Sequence, residues 1–215
     1  MGPCTPAEFD LICGSGDGAA RVVVKTISPS RRLAFAWRLT NKPPGNIPEQ
    51  DDPALENLIV RLDDGAVLAK SYGSYWDLST KIAKAYLMTA WSPDSRLLVK
   101  IEQRARSASA EVFSFAEDDA TVGPFDLVNV IEPAMQAKTQ RTHTGSSSLV
   151  FSAHPATTID DQGLLHTVVS ARHEDATEGP RYAVVMQIAH STKAIDAKIV
   201  SVTPFDGTSI SIIVH

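Results

Sequence analysis

From Arg21 onward, apolar residues come in short runs, and a turn-forming cluster ends nearly every run before a stable helix length is reached. Val22, Val23, Val24 and Ile27 are followed by Ser28-Pro29-Ser30-Arg31-Arg32; then Leu33, Phe35, Trp37 and Leu39 alternate with smaller or polar residues. Period-two alternation lines one face of a strand. The proline between the runs fixes φ and offers no ladder donor. A hairpin is predicted. Residues 41–56, with four prolines, form an irregular connection. Leu58, Val60 and Leu62 then share a face, Asp63-Asp64-Gly65 turns the chain and Ala66 to Ser71 returns. Four consecutive antiparallel strands are expected up to Ser71.

The order recurs. Tyr86 to Ala90 is apolar, Trp91-Ser92-Pro93-Asp94-Ser95-Arg96 turns, and Leu97, Val99 and Ile101 alternate; Val112 to Phe115, an acidic turn at Glu117-Asp118-Asp119 and a return near Thr121 follow. A third copy has Leu149 to Phe151, the turn Asp160-Asp161-Gln162-Gly163, Leu164 to Ala171, and outer strands at Tyr182 to Ala189 and Ala197 to Val202. Leu33, Leu97 and Leu164 align as the start of the second strand in each copy, giving repeat units at 19–75, 84–128 and 147–204 within one domain spanning 1–215.

Ser28-Pro29-Ser30-Arg31-Arg32-Leu33 and Ser92-Pro93-Asp94-Ser95-Arg96-Leu97 resemble the Ser-Pro-Asp-Gly turn joining the inner strands of blades in TolB-like and WD-repeat-like β-propellers, and Ala90-Trp91 fits the same pattern. Arg31 and Ser95 stand where those blades carry Gly, and the third copy lacks Ser-Pro. The resemblance implies an all-β, mainly antiparallel fold of about three four-stranded blade-like units. Closed propellers have four to eight blades, so an open or incomplete ring, a stack of sheets, or half of a homodimeric ring is expected. Valine and isoleucine number 32 against 15 leucines, which favours strands over helices. Two short helices are expected in connecting loops, at Trp76 to Met88 with Asp77 as cap, and at Asp126 to Thr139, where Pro133 interrupts the pattern.

Both cysteines, Cys4 and Cys13, lie in residues 1–18 and are expected to close a disulfide that pins this segment. No other cysteine follows, which suits export to the periplasm or beyond. Met1-Gly2-Pro3 carries neither a charged start nor an apolar run, so export rests on the cysteines, with a signal peptide taken as already removed. A lipid on Cys4 stays open. Net charge is -5, which gives no nucleic-acid footprint. No apolar stretch is long enough to span a membrane as a helix.

No nucleophile elbow, metalloprotease helix motif or phosphate-binding loop is present. Gly14-Ser15-Gly16-Asp17-Gly18 precedes a strand and reads as a flexible lead-in loop. The histidines show no zinc spacing, and no cofactor or metal is expected. The pairs Asp63-Asp64, Asp118-Asp119 and Asp160-Asp161 stand at turns, where Asp caps nearby backbone. The candidate binding residues are Tyr72, Tyr75 and Trp76, aromatics in a glycine-containing loop that could stack on a sugar or anchor a protein partner. Thr144 to Ser148 reads as a polar loop. The leading functional expectation is an exported non-enzymatic binding or scaffolding protein. The alternative is a hydrolase that assembles His166 or His173 with a turn aspartate in space.

Overall fold

The turn at Ser28 sets a pattern that the chain uses three times. The Ser28 N–H donates to the Leu33 carbonyl at 2.8 Å, and its hydroxyl accepts the Leu33 N–H at 3.1 Å. Ser92 makes the same two bonds with Leu97, at 3.0 Å and 2.8 Å. In the third copy Asp160 takes the serine's place: its N–H donates to the Leu164 carbonyl at 3.0 Å and its carboxylate accepts the Leu164 N–H at 2.8 Å. Arg31 (φ 58°), Ser95 (φ 63°) and Gly163 (φ 74°) supply the left-handed residue that closes each turn. Leu33, Leu97 and Leu164 each open the strand that follows.

The structure is a computed structural model and describes residues 1–7, 10–49, 52–77, 86–104, 107–118, 120–139, 149–172 and 178–207. Three antiparallel sheets follow one another along the chain. The first runs in sequential order through β1 (Cys4–Pro6), β2 (Leu11–Cys13), β3 (Ala20–Val22), β4 (Leu33–Leu39), β5 (Leu55–Arg61) and β6 (Val67–Ser71). The second is an up-and-down meander of β7 (Tyr86–Trp91), β8 (Leu97–Gln103), β9 (Ala108–Phe115) and β10 (Thr121–Asp126). Helix α1 (Val128–Thr139) leads to the third sheet, made of β11 (Leu149–Phe151), β13 (Leu164–Arg172), β14 (Glu178–His190) and β15 (Ile195–Pro204), with β12 (Thr158–Ile159) also paired to β13. The all-β class stands, and none of the three sheets closes on itself.

The second sheet is the middle layer. One face presents Leu87, Leu98, Phe113 and Phe115 to Leu33, Phe35, Trp37 and Ile59 of the first sheet. The other presents Ala90, Leu97, Val99, Ile101, Ala110 and Val112 to the third sheet and to Leu127, Ile131 and Met135 at the start and on the inner side of α1. Pro133 lies within that helix on its exposed side, while Ile131 and Met135 are fully buried. Asp126 caps the start through the Val128 N–H at 2.8 Å. On the far face of the first sheet, Ala20, Val22, Ala34, Ala36, Leu58 and Val60 form a third cluster with Cys13. The β1–β2 hairpin curls over it, and Cys4 donates its N–H to the Leu62 carbonyl at 3.0 Å. The Cys4–Cys13 disulfide joins directly opposed residues of that hairpin.

Three expectations are corrected. Six strands, not four, precede Tyr72. The run Val22 to Ile27 is a strand only to Val22; Val24–Thr26 is a 3-10 turn. There the buried Thr26 hydroxyl donates to the Val23 carbonyl at 2.6 Å and accepts the Phe35 N–H at 3.0 Å, replacing a ladder rung. Of the helix expected at Trp76 to Met88, residues 78–85 lie outside the described residues, and Tyr86, Leu87 and Met88 are in β7, paired to Gln103, Glu102 and Ile101.

Candidate functional site

The segment Ser71 to Asp77 leaves the first sheet and wedges between the first and second. Its main chain is gripped by buried side chains from both. Glu111 on β9 accepts the Ser71 hydroxyl at 2.6 Å and the Tyr72 N–H at 3.0 Å. Lys100 on β8 donates to the Tyr72 carbonyl at 2.6 Å and lies 3.2 Å from both Glu102 and Glu111. Asn57 on β5 acts as a false strand: its amide donates to the Tyr75 carbonyl at 2.7 Å and accepts the Tyr75 N–H at 2.9 Å. Trp37 Nε1 donates to the Asp77 carbonyl at 3.2 Å. Gly73, at φ 109°, is required here, because a Cβ would run into the Glu102 carboxylate.

This grip separates the three aromatics. Tyr72 is 72% exposed and Tyr75 2% exposed. Tyr75 stacks edge-on against Phe35, with ring centroids 5.9 Å apart, and its hydroxyl donates to Asp77 at 3.2 Å. Burial, with the Asp77 carboxylate beside it, pushes that phenol up. Trp76 is half-buried against the same core. Tyr75 is therefore corrected from a contact residue to a core residue: the aromatic edge of Phe35 and the Asn57 amide together supply a better site than water does. Tyr72 is the most exposed of the three.

At the same end of the molecule, on the opposite face of the second sheet, a cleft of about 730 Å³ opens between β7 and the third sheet. Met88, Val150 and Phe151 give it an apolar floor, and Tyr86 and Arg181 stand on its rim. Tyr86 is 76% exposed. The polar groups in its wall are already engaged. Gln103 accepts the Phe151 N–H at 2.9 Å and donates to the Arg104 and Ser107 carbonyls at 2.9 and 3.1 Å. The Ser152 hydroxyl donates to the His154 carbonyl at 2.7 Å. Arg181 lies over the Phe205 ring at 5.6 Å. Sequence reasoning missed this cleft, because Tyr86, Gln103, Phe151 and Arg181 come from four strands far apart in the chain.

Two histidines meet partners. His166 Nε2 lies 3.2 Å from Asp160, the pairing the hydrolase alternative anticipates. Asp160 is at the same time the turn cap, accepting the Leu164 and Gln162 N–H groups. His173 lies outside the described residues. At the turn end of the molecule, Ser114 Oγ lies 2.8 Å from His190 Nδ1 and bridges the second and third sheets. Near it, burial raises Asp94, but the Ser92 hydroxyl, the Arg96 N–H and charge, and His190 hold it below the usual carboxylate range. Among the described residues no group of three or more His, Cys, Asp or Glu is placed to hold a metal ion. Among them, too, no helix is long and apolar enough to cross a membrane. Thr144 to Ser148 lies outside the described residues.

No family model, curated protein or solved structure matches the chain.

Proposed function

We propose that this chain is an exported, non-enzymatic binding protein built from propeller-like β repeats, and that its ligand seats in the cleft between β7 and the third sheet. The cleft carries the reading. It has the size of a small-molecule site, an apolar floor and few polar groups at its rim. Tyr86 stands over it as an exposed ring rather than as core. The disulfide is consistent with an oxidising compartment. It also occupies the Cys4 thiol, which removes that atom as a lipid attachment point. Tyr72 adds an aromatic at the same end, on the other face of the second sheet, where a protein or carbohydrate partner would meet it.

The Ser114–His190 contact favours hydrolysis as the second reading, since a serine bonded to a histidine is the start of an acyl-transfer site. Ser114 is 3% exposed, however, so a substrate carbonyl has no approach to its Oγ without rearrangement. A photocrosslinking amino acid placed at position 86, and as a control at position 24, tests the binding reading in cells that make the protein, and an ester-turnover assay tests the second. A discrete adduct at 86 and none at 24 is expected. Equal labelling at the two positions would sink the binding reading, and ester turnover lost in Ser114→Ala would establish the second.

A further inference from the structure

We infer that the cleft selects amphiphiles that carry a single anionic group on an apolar body; this rests on the binding reading above. Most polar side chains in the wall are already engaged. The Gln103 side chain makes three hydrogen bonds within the protein, and the Ser152 hydroxyl both donates to and accepts from His154. Of the described lining side chains, the polar groups left toward the opening are the guanidinium of Arg181 and the phenol of Tyr86.

Arg181 differs in its surroundings from five other described arginines. Arg21, Arg38, Arg61, Arg96 and Arg104 each pair with a carboxylate. Arg181 is instead placed over the face of Phe205, and no described carboxylate forms an ion pair with it. A cation–π contact at this distance uses none of the guanidinium N–H groups as ion-pair donors, so they stay available to receive a carboxylate, sulfonate or phosphate. An aromatic ring beneath also orders the side chain, so less rotamer freedom is lost when an anion arrives. The floor of Met88, Val150 and Phe151 takes up the apolar part, and Met adapts to irregular shapes. The net charge of -5 opposes anions at long range, so the preference is a local property of this rim.

The test uses two fluorescent probes of similar shape, anilinonaphthalene sulfonate and the uncharged N-phenylnaphthylamine, titrated into the folded full chain. Both are expected to bind at one site per chain and to be displaced by dodecanoate or dodecyl phosphate, with inorganic phosphate alone displacing neither. Arg181→Gln should weaken the sulfonate roughly tenfold and leave the neutral probe within twofold. Met88→Glu should weaken both. If Arg181→Gln weakens both probes alike, or neither, or if dodecanol competes as well as dodecanoate, the anion preference is overturned while the cleft remains a binding site. If neither probe binds the folded chain, the cleft itself is not a small-molecule site and the binding reading goes with it. A cooperative thermal transition in each variant separates lost binding from lost folding.

Discussion

Lys100 is fully buried, and so are the two carboxylates it meets, Glu102 at 2% and Glu111 at 3% exposure. Burying three charges is costly unless each is paired and hydrogen-bonded, and here the Ser71 to Ser74 segment completes the set. The sequence does not disclose this cluster. Leu98, Lys100 and Glu102 alternate with Leu97, Val99, Ile101 and Gln103, so the charged positions read as a solvated strand face. Their partners come from a loop some thirty residues earlier. Lys100→Met is expected to leave the buried Glu111 without a cation, and Glu102 with Arg104 alone, and to destabilise the fold by about 3–5 kcal/mol. Urea unfolding measures this; a loss below about 1 kcal/mol would mean that the cluster hydrates.

At the scale of elements, the turn that opens β4, β8 and β13 was the most legible feature, because Ser28, Ser92 and Asp160 act through local bonds whose spacing the sequence displays. The strands of the second and third sheets follow from their alternation. The β1–β2 hairpin was less legible: each of its strands has only three residues, too few for a periodic signal, and its place over the first sheet is fixed by contacts with Leu62 and Gly65. Asp160 makes the third turn sensitive to acid. Burial pushes its carboxyl up, but the Leu164 N–H, the His166 ring and the Gln162 N–H outweigh burial and hold it below the usual value. A depressed folded pKa means stability that is present above about pH 4 and lost as pH falls through the folded value. Asp160→Asn should therefore flatten part of the decline in urea midpoint between neutral and acid pH. An unchanged pH profile in that variant would show that the turn bonds do not depend on the charge.

For the whole molecule, the central fact is that one sheet serves two cores. Trp37 belongs to the core between the first and second sheets, and Trp76 and Trp91 pack against it. Indole fluorescence thus reports only that half of the structure, whereas far-ultraviolet circular dichroism reports every strand. Because removing either neighbour exposes an apolar face of the second sheet, the two signals should trace one coincident denaturation curve. Two separated midpoints would show that the third sheet and α1 unfold as an independent unit. The middle position also explains why strand alternation misled at Lys100 and Glu102: a strand covered on both sides has no solvated face to signal.

The wedge between the first two sheets is held by main-chain atoms: the Tyr72 N–H and carbonyl, the Ser74 N–H, both backbone groups of Tyr75 and the Asp77 carbonyl. At position 72 the side chain itself takes no part in that grip and points outward. The scaffold is therefore indifferent to what is displayed there. Position 72 is a socket into which any residue type that keeps its backbone N–H, so any but proline, can be plugged at little cost to folding, which makes it the natural place for a library of grafted contacts and the place where chemical identity is free to drift while the frame beneath it stays fixed.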